Sequence, residues 1–263
     1  MFPKTSETPD GPDAMKSAAP TIPKIMVVIP TFNEAENLPV VYRRICEQNI
    51  AGLGFIIVDD NSPDGTGRIA DELSALHAEH AEHGSTFRVI HRPEKKGLGR
   101  AYVAGFKAAL EDGAEIVVEM DADLSHPPEE IPRMLQALEN HDVVIGTRYM
   151  AGGGVDPSWS LGRRLLSSVG NAGIRALVGI SVTDATSGFK VFRRSALERA
   201  DLDSLRSNGF AFQVEMTLAC ERAGVRIAEH PYSFRMRTAG DSKMSVGIVY
   251  EAVIRLPPLR FKR

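Results

Sequence analysis

The chain has 263 residues, of which 43% are hydrophobic, and a formal net charge of -3 at neutral pH. This length allows one large α/β domain or two small ones, and we expect one. The slight acidic excess argues against a nucleic-acid partner, because such proteins usually carry a broad basic face. Cys46 and Cys220 have no C-x-x-C spacing, which predicts neither a disulfide framework nor a zinc site and fits a reducing compartment.

The two ends of the chain differ in composition from the middle. Residues 1–23 are rich in Pro, Ser, Thr and Asp and lack the pattern of a signal peptide, so we expect a disordered tail. Apolar runs of about 18 residues are absent from the sequence, which predicts no transmembrane segment. Residues 244–263 place apolar residues on one helical face and end in basic residues. This amphipathic segment either faces a membrane or packs on the core.

From residue 24, short β-branched runs alternate with longer helical segments, which predicts βαβ units around a mostly parallel sheet. The first half is predicted to have strands at 24–30, 55–60, 87–92, 115–123 and 142–149, with helices at 34–48, 64–80, 99–112 and 127–140. A glycine-rich stretch at 150–162 breaks the rhythm. A helix at 163–178, the segment 184–194, a helix at 212–224 and a strand at 226–234 follow. We predict one domain over residues 24–243.

Ligands of open α/β sheets gather at the carboxyl ends of the strands, and four predicted strand ends here are polar. Asp121 and Asp123 follow the fourth strand, and in an extended segment their side chains point to the same side. Two such carboxylates suit one hard cation, Mg²⁺ or Mn²⁺, and the diphosphate that it neutralises. Alternatively, the aspartates stabilise the start of the helix that begins at the sequence PPEE.

Other polar residues leave more than one interpretation open. Asp59 and Asp60 suit a base or ribose contact, an Asx turn, or both. Glu34 is either a nucleotide contact or a capping acid. The sequence KKGLGRAY is an incomplete G-x-G-x-x-G, so Gly97 and Gly99 are expected to form a tight turn beside a nucleotide.

Histidines and cations complete the candidate residues. His77, His80 and His83 are spaced three apart, as in a metal cluster, but they have no nearby partner acid in a predicted cleft, so we expect a solvated helix end. A group of cations in predicted loops suits phosphate binding, with surface solvation as the alternative for each: Arg148, Arg163, Arg164, Arg235, Arg237 and Lys243.

The motifs VVIPTFNEAENL, IIVDDNSPDGT, KKGLGRAY, MDADLSHPPE, GTRY, DATSGFKVFRR, GFAFQVEM and RTAGDSK occur in that order. Together, over about residues 25–245, the chain resembles the polyprenol-phosphate mannosyltransferases, or dolichol-phosphate-mannose synthases, which are family 2 inverting glycosyltransferases. The resemblance implies an α/β GT-A fold, a Rossmann-like, mostly parallel sheet flanked by helices. It also implies transfer of mannose from GDP-mannose to a polyprenyl monophosphate.

The resemblance also implies roles for particular residues. Asp121, Ala122 and Asp123 match the site of the diphosphate and its Mg²⁺ or Mn²⁺, with the two aspartates as ligands. The guanosine end of the donor is matched by Pro30, Phe32, Glu34, Val58 and Asp60. Arg148 matches a contact to substrate phosphate, Arg163 and Ser167 match the lipid-phosphate site, and Arg237 and Lys243 match a loop that closes over the donor. The implied catalytic residues are Asp121, Asp123, Arg148 and Arg237.

The sequence departs from the family pattern at three of these positions. Phe32 stands where tyrosine is common, Asn61 replaces a frequent glycine, and Ser125 stands where some members have a metal-directed glutamine. The third protein ligand of the metal is therefore not assigned.

Two other functions compete with this interpretation. One is a polyprenyl-phosphate glucosyltransferase that uses UDP-glucose, and the other is a catalytically silent nucleotide-sugar-binding subunit. We expect the protein at the cytoplasmic face of a membrane, bound peripherally or through a membrane-anchored partner protein.

Overall fold

The computed structural model describes residues 22–80 and 85–235. Within them, the strands are β1 (Ile25–Thr31), β2 (Leu53–Asp59), β3 (Phe87–His91), β4 (Ile116–Glu119), β5 (Val143–Thr147), β6 (Gly154–Val155), β7 (Lys190–Arg193), β8 (Ile227–Pro231) and β9 (Ser233–Phe234). The helices are α1 (Leu38–Cys46), α2 (Thr66–His80), α3 (Leu98–Glu111), α4 (Ile131–Ala137), α5 (Leu161–Val178), α6 (Arg194–Arg199) and α7 (Phe210–Arg222). Nearly all of the leader, residues 1–21, and the segment from 236 to 263 lie outside this description, so their predicted states stay predictions.

Seven strands form one sheet in the order β3-β2-β1-β4-β7-β5-β8. Every neighbouring pair is parallel except the two that involve β7, which runs antiparallel to β4 and to β5. The predicted mostly parallel sheet flanked by helices is confirmed. β6 and β9 form a separate parallel pair.

The central strands are buried on both sides, as their continuous apolar sequences indicate. All seven residues of β1 and all seven of β2 are buried. Side chains alternate across the sheet, so Met26 and Val28 pack under α3 and α7, whereas Val27 and Ile29 pack under α1 and α4. Gly105 lets α3 approach closely, because a Cβ there would lie 2.3 Å from Cγ1 of Val28.

The structure differs from the predicted elements mainly at their ends. α1 begins at Leu38 rather than at residue 34, since residues 34–37 form a turn. The predicted strand over 226–234 divides at Tyr232 into β8 and β9, which belong to different sheets. The segment 184–194 supplies β7, whose position between β4 and β5 was not predicted. Among the residues described, no helix is both long enough and apolar enough to span a membrane.

The prediction of a solvated helix end was wrong for His77. This side chain is only 8% exposed and lies among the rings of Tyr42, Phe55 and Phe87. Its ring nitrogens bond the hydroxyls of Tyr42 and Ser85. His77 is therefore part of the packing between α2 and β2. His83 lies outside the described residues.

Candidate functional site

Four strands, β1, β2, β4 and β5, end at one edge of the sheet. β1 pairs in parallel with β2 and with β4, and β7 is antiparallel to both β4 and β5, so all four point the same way. Their last residues are Thr31, Asp59, Glu119 and Thr147. The polar motifs after these strands therefore lie along one edge, as the sequence predicts.

Asp121 and Asp123 lie in a bent loop and not in an extended segment. β4 ends at Glu119, and Leu124 has a positive φ of 64°. The argument from alternating side chains therefore does not apply to this pair, and each carboxylate is oriented by its own bond. Oδ1 of Asp121 accepts from the Tyr102 hydroxyl at 2.6 Å, and Oδ1 of Asp123 accepts from the backbone N–H of Ser125 at 3.0 Å.

Asp121 and Asp123 do not cap the next helical turn, which was the alternative role for them. The turn that follows starts at Pro128, its capping position is Pro127, and no side chain makes a capping bond there. The pair instead presents carboxylate oxygens at the end of β4, next to the buried Ala122.

The donor set of this loop fits a divalent cation that binds together with its substrate. Within residues 22–80 and 85–235, no group of three or more His, Cys, Asp or Glu side chains is arranged to hold a metal ion. Two carboxylates alone suit Mg²⁺ or a similar ion, which usually takes one or two carboxylates and completes its shell with phosphate oxygens and water. Ser125 is buried and supplies its backbone N–H to Asp123, and it does not identify a third ligand.

A fully buried polar group lies beneath this loop. Nζ of Lys190 contacts Oε2 of Glu119 at 3.3 Å and also donates to the side-chain oxygen of Gln213. Nε2 of Gln213 donates to Oε1 of Glu119 at 2.6 Å. Burial raises the pKa of Glu119 to about 7, against the opposing effect of Lys190. Sequence reasoning missed this group, although a Glu in the buried run VVEM was a usable signal.

The loops after β1 and β2 are tied together into one wall. The backbone N–H of Asn33 donates to Oγ of Ser62, that of Glu34 to Oγ1 of Thr66, and that of Ala35 to Oδ2 of Asp64. The Glu34 carboxylate accepts from Nδ2 of Asn37 at 2.8 Å, within the turn that precedes α1.

The two acids at the end of β2, Asp59 and Asp60, have different surroundings. Asp59 accepts bonds from Ser62 and Thr31, so it builds the turn. Asp60 is 4% exposed and forms an ion pair with Arg92 at 2.6 Å. Burial raises the pKa of Asp60, and the neighbouring Arg92 partly offsets this rise.

The remaining predicted donor residues lie beside these acids. Pro30 and Val58 are buried and face each other in the β1–β2 register. Nζ of Lys95 lies 3.6 Å from the centre of the half-buried Phe32 ring. Phe32 and Asp60 therefore flank the same stretch of the edge, together with the cations Arg92 and Lys95.

Arg148 is held in a buried ion pair, and surface solvation is excluded for it. Its Nε and Nη2 donate to the two carboxylate oxygens of Asp184 at 2.7 and 2.8 Å, and Nη2 also donates to Oγ1 of Thr186. Burial acts to raise the pKa of Asp184, but the pairing with Arg148 outweighs it and the pKa lies below its ordinary value. Asp184 is a second residue that sequence reasoning did not single out.

Arg163 and Ser167 lie on α5 and not in a loop. Ser160 caps this helix by accepting from the backbone N–H of Arg163, whose guanidinium lies 4.1 Å from the centre of the Trp159 ring. Oγ of Ser167 bonds the Tyr149 hydroxyl at 2.6 Å. Tyr149 follows Arg148 directly, which links this part of α5 to the end of β5.

Two predicted residues cannot be placed. Arg237 and Lys243 lie beyond residue 235 and so outside the described residues. Arg235 is the last residue described, and its Nη2 lies 3.9 Å from Oε2 of Glu129.

Residues 26–200 match the protein family described as Glycosyl transferase family 2. Undecaprenyl-phosphate mannosyltransferase of Micrococcus luteus is 42% identical over 233 residues, which are 89% of this chain and 92% of the relative. Polyprenol monophosphomannose synthase of Mycolicibacterium smegmatis is 40% identical, over 89% of this chain and 85% of the relative. Dolichol-phosphate mannosyltransferase of Pyrococcus furiosus is 36% identical, over 87% of this chain and 61% of the relative.

Among solved structures, the chain resembles glucosyl-3-phosphoglycerate synthase from Mycobacterium tuberculosis in complex with Mn²⁺, UDP-glucose and phosphoglyceric acid. The TM-score is 0.62 at 18% identity, over 92% of this chain and 81% of that one. At this identity the likeness concerns the fold, and it confirms the predicted GT-A architecture.

Proposed function

Because the chain belongs to glycosyl transferase family 2, we propose that it transfers mannose from GDP-mannose to a polyprenyl monophosphate, with inversion at the anomeric carbon. The observation that carries this proposal is the 42% identity, over nearly the whole of both chains, to a relative named as an undecaprenyl-phosphate mannosyltransferase. The product would be a β-linked mannosyl phospholipid, a lipid-linked mannose donor.

The donor is proposed to lie along the edge formed by the loops after β1, β2 and β4. Phe32 and Asp60 flank one stretch of this edge, and Asp121 and Asp123 lie at the end of β4. We assign the guanosine contacts to Pro30, Phe32, Glu34, Val58 and Asp60, and the diphosphate to the loop of Asp121, Ala122 and Asp123. The hydrogen bonds between the first two loops support this assignment, since a rigid wall orients a ligand without an ordering cost.

Asp121 and Asp123 are proposed to hold the divalent cation, Mg²⁺ or Mn²⁺. Two negative carboxylates beside a negative diphosphate would repel it in the absence of a cation. A bound dication supplies charge neutralisation for the departing diphosphate. The Mycobacterium tuberculosis synthase, whose crystal complex contains Mn²⁺ with UDP-glucose, is a precedent within the same fold.

Arg148 is proposed to orient a substrate phosphate. The bidentate bond to Asp184 fixes the plane of its guanidinium. Nη1 has no partner among the described residues and is the group that remains for a phosphate oxygen. Because the Asp184 carboxylate balances the charge of the guanidinium, Arg148 is proposed to orient the substrate phosphate more than to attract it.

The proposed chemistry needs no strong general base. The acceptor phosphate is largely a dianion at neutral pH, since its second pKa is about 6. One of its oxygens forms the bond to the anomeric carbon while the bond from that carbon to the GDP oxygen breaks, and GDP leaves with the electron pair. Catalysis is then positioning and electrostatic stabilisation. We assign the closure over the donor to Arg237 and Lys243.

The acceptor side of the site is proposed to face a membrane. Arg163 and Ser167, the proposed lipid-phosphate contacts, lie on α5. This helix also exposes Leu161 (82%), Leu165 (67%) and Val169 (60%), which recur every four residues along one stripe. A stripe of exposed apolar side chains beside arginines suits peripheral binding at a lipid headgroup layer. We propose the cytoplasmic face, with a membrane-anchored partner protein as the alternative route to the lipid.

The test is sugar transfer to a short-chain polyprenyl phosphate, with radiolabelled GDP-mannose and UDP-glucose compared in parallel. Formation of a mannosyl lipid that is cleaved by mild acid is expected from GDP-mannose. Preferential transfer from UDP-glucose would show that the protein is a glucosyltransferase and not a mannosyltransferase. Transfer from neither donor, with the lipid well dispersed, would favour a subunit that only binds nucleotide sugar.

A further inference from the structure

The hydroxyl of Tyr102 forms a hydrogen bond with the carboxylate of Asp121, which we propose as a metal ligand. Tyr102 is fully buried, and its hydroxyl lies 2.6 Å from Oδ1 of Asp121. A phenol is protonated at neutral pH, since its ordinary pKa is about 10. Tyr102 is therefore the donor and the Asp121 carboxylate is the acceptor.

The ring of Tyr102 has little freedom to move. It stacks on Phe212 with ring centres 5.8 Å apart and planes 6° apart, and on Phe106 with centres 5.7 Å apart. All three rings are fully buried. The position of the hydroxyl is thus set by the packing between α3 and α7.

Two glycines of α3 set the position of the helix itself. A Cβ on Gly99 would lie 2.5 Å from the backbone oxygen of Ser207, and one on Gly105 would lie 2.3 Å from Val28. Such contacts are too close for any larger residue without movement of the backbone. Gly99, which we expected to form a tight turn beside a nucleotide, therefore lies within α3 and, with Gly105, sets the distance from Tyr102 to the loop after β4.

Asp121 has a second attachment through its backbone. Its N–H donates to Nδ1 of His126 at 3.1 Å, and the imidazole of His126 stacks on Phe189 with centres 5.2 Å apart. The main chain of Asp121 is held by His126, and Oδ1 is held by Tyr102. Rotation of the carboxylate is thereby restricted, and Oδ2, for which the described residues show no hydrogen bond, is left for a ligand.

We propose that Tyr102 is a positioning residue that fixes the carboxylate of Asp121 for the divalent cation and the donor diphosphate. The inference rests on the proposed function, because it takes Asp121 as a metal ligand. Partners that orient a ligating carboxylate commonly change metal affinity or activity about 10-fold to 100-fold when they are removed.

The test measures Mn²⁺ binding to the full chain in the presence of GDP. The electron paramagnetic resonance signal of free Mn²⁺ is the readout. Tyr102→Phe keeps the stacked ring and removes only the hydroxyl. We expect the Kd for Mn²⁺ to rise about 10-fold. Saturating Mn²⁺ should restore most of kcat, a recovery that a general loss of structure would not show.

Tyr42→Phe is the matched control. The hydroxyl of Tyr42 also forms a hydrogen bond, with Nδ1 of His77, but Tyr42 packs against the apolar cluster on the opposite face of the sheet. The Kd for Mn²⁺ should not change in this variant.

A double-mutant cycle separates the positioning role from a structural one. In the Asp121→Asn background, the addition of Tyr102→Phe should change the Kd for Mn²⁺ no further, because the two groups act through one bond. An unchanged Kd in Tyr102→Phe, with normal binding in the unsubstituted protein, would overturn the inference and leave the proposed function intact. A lack of Mn²⁺ binding by the unsubstituted protein would overturn both the inference and the metal part of the proposed function.

Discussion

At the residue scale, the carboxylates of Asp121 and Asp123, two positions apart in the sequence, are distinguished by their hydrogen-bond partners. Asp121 is oriented by the phenol of Tyr102 on α3, whereas Asp123 is oriented by the N–H of Ser125, two residues later. Asp123 is also the more buried of the two, at 4% exposure. Because a buried carboxylate is costly unless it is compensated, a cation at this loop would stabilise the arrangement as well as serve the reaction.

Replacement of Asp123 by alanine tests the assignment of this residue. We expect mannosyl transfer to fall about 100-fold or more, since an electrostatic contact to the departing diphosphate is lost. The midpoint of thermal unfolding should change little, because the hydrogen bond that Asp123 accepts from Ser125 is local. Asp71→Ala, at an exposed aspartate of α2, is the control and should keep normal turnover. Near-normal turnover of Asp123→Ala would remove Asp123 from the metal site.

Each residue that sequence reasoning missed has its partner far away in the chain. Asp184 pairs with Arg148, 36 positions away, and Glu119 bonds Lys190 and Gln213, 71 and 94 positions away. The strand-end rule located Asp60, Asp121 and Asp123, because it depends only on local sequence and on the direction of the strands. Long-range polar pairs depend on the order of the strands in the sheet, which brings distant segments together and which no local pattern specifies.

At the element scale, the continuous apolar strands were predictable and the antiparallel β7 was not. β1 and β2 each have seven buried residues, whereas β7, Lys190–Arg193, has only three, and one of these three is a lysine. A strand this short, carrying a charge, gives no clear periodic signal. Its place in the sheet brings Lys190 under the loop after β4. The position of β7 and the buried group of Glu119, Lys190 and Gln213 were therefore missed for the same reason.

The packing of α2 on β2 predicts a dependence of stability on pH. Burial lowers the pKa of His77 below its value in the unfolded chain, which is about 6.5. Below that pH the unfolded state binds more protons, so the contribution of neutral His77 is present above about pH 6.5 and is lost as the pH falls through the folded-state pKa. Urea unfolding should therefore show a smaller drop in unfolding free energy for His77→Phe than for the unsubstituted protein, between about pH 7.5 and about pH 5.

Leu76→Ser, at an exposed position of the same helix, is the control for this comparison, because it changes α2 without removing a titratable group. It should keep the pH dependence of the unsubstituted protein. Equal pH dependence in His77→Phe and the unsubstituted protein would show that His77 is not buried as described.

The exposed stripe of α5 predicts binding to lipid vesicles. Replacement of Leu165 and Val169 together by serine should weaken co-sedimentation with anionic phospholipid vesicles at least about 10-fold, because each apolar side chain contributes about 1.5 kcal/mol or more when it is buried. Transfer to a detergent-dispersed short acceptor should be less affected. Leu76→Ser removes an exposed leucine from α2 and is the control. Unchanged vesicle binding by the α5 variant would exclude this helix from the membrane surface.

At the scale of the whole molecule, the sites that we propose for the two anionic substrates lie in separate parts of the structure. The donor is assigned to the loops after β1, β2 and β4, and the acceptor phosphate to α5 beyond the end of β5. A net charge of -3 does not attract either substrate, so the local cations and the metal must overcome the repulsion between them. The protein is then expected to act by alignment of the two phosphates with the anomeric carbon.

The most direct test of this account is the metal dependence of mannosyl transfer by the full chain. Protein freed of metal by a chelator would be given GDP-mannose and a short polyprenyl phosphate, and the mannosyl lipid would be measured as Mn²⁺ or Mg²⁺ is added back. The account predicts no appreciable transfer without a divalent cation and saturable recovery with it. Full transfer in the presence of the chelator would contradict the role that we assign to Asp121 and Asp123.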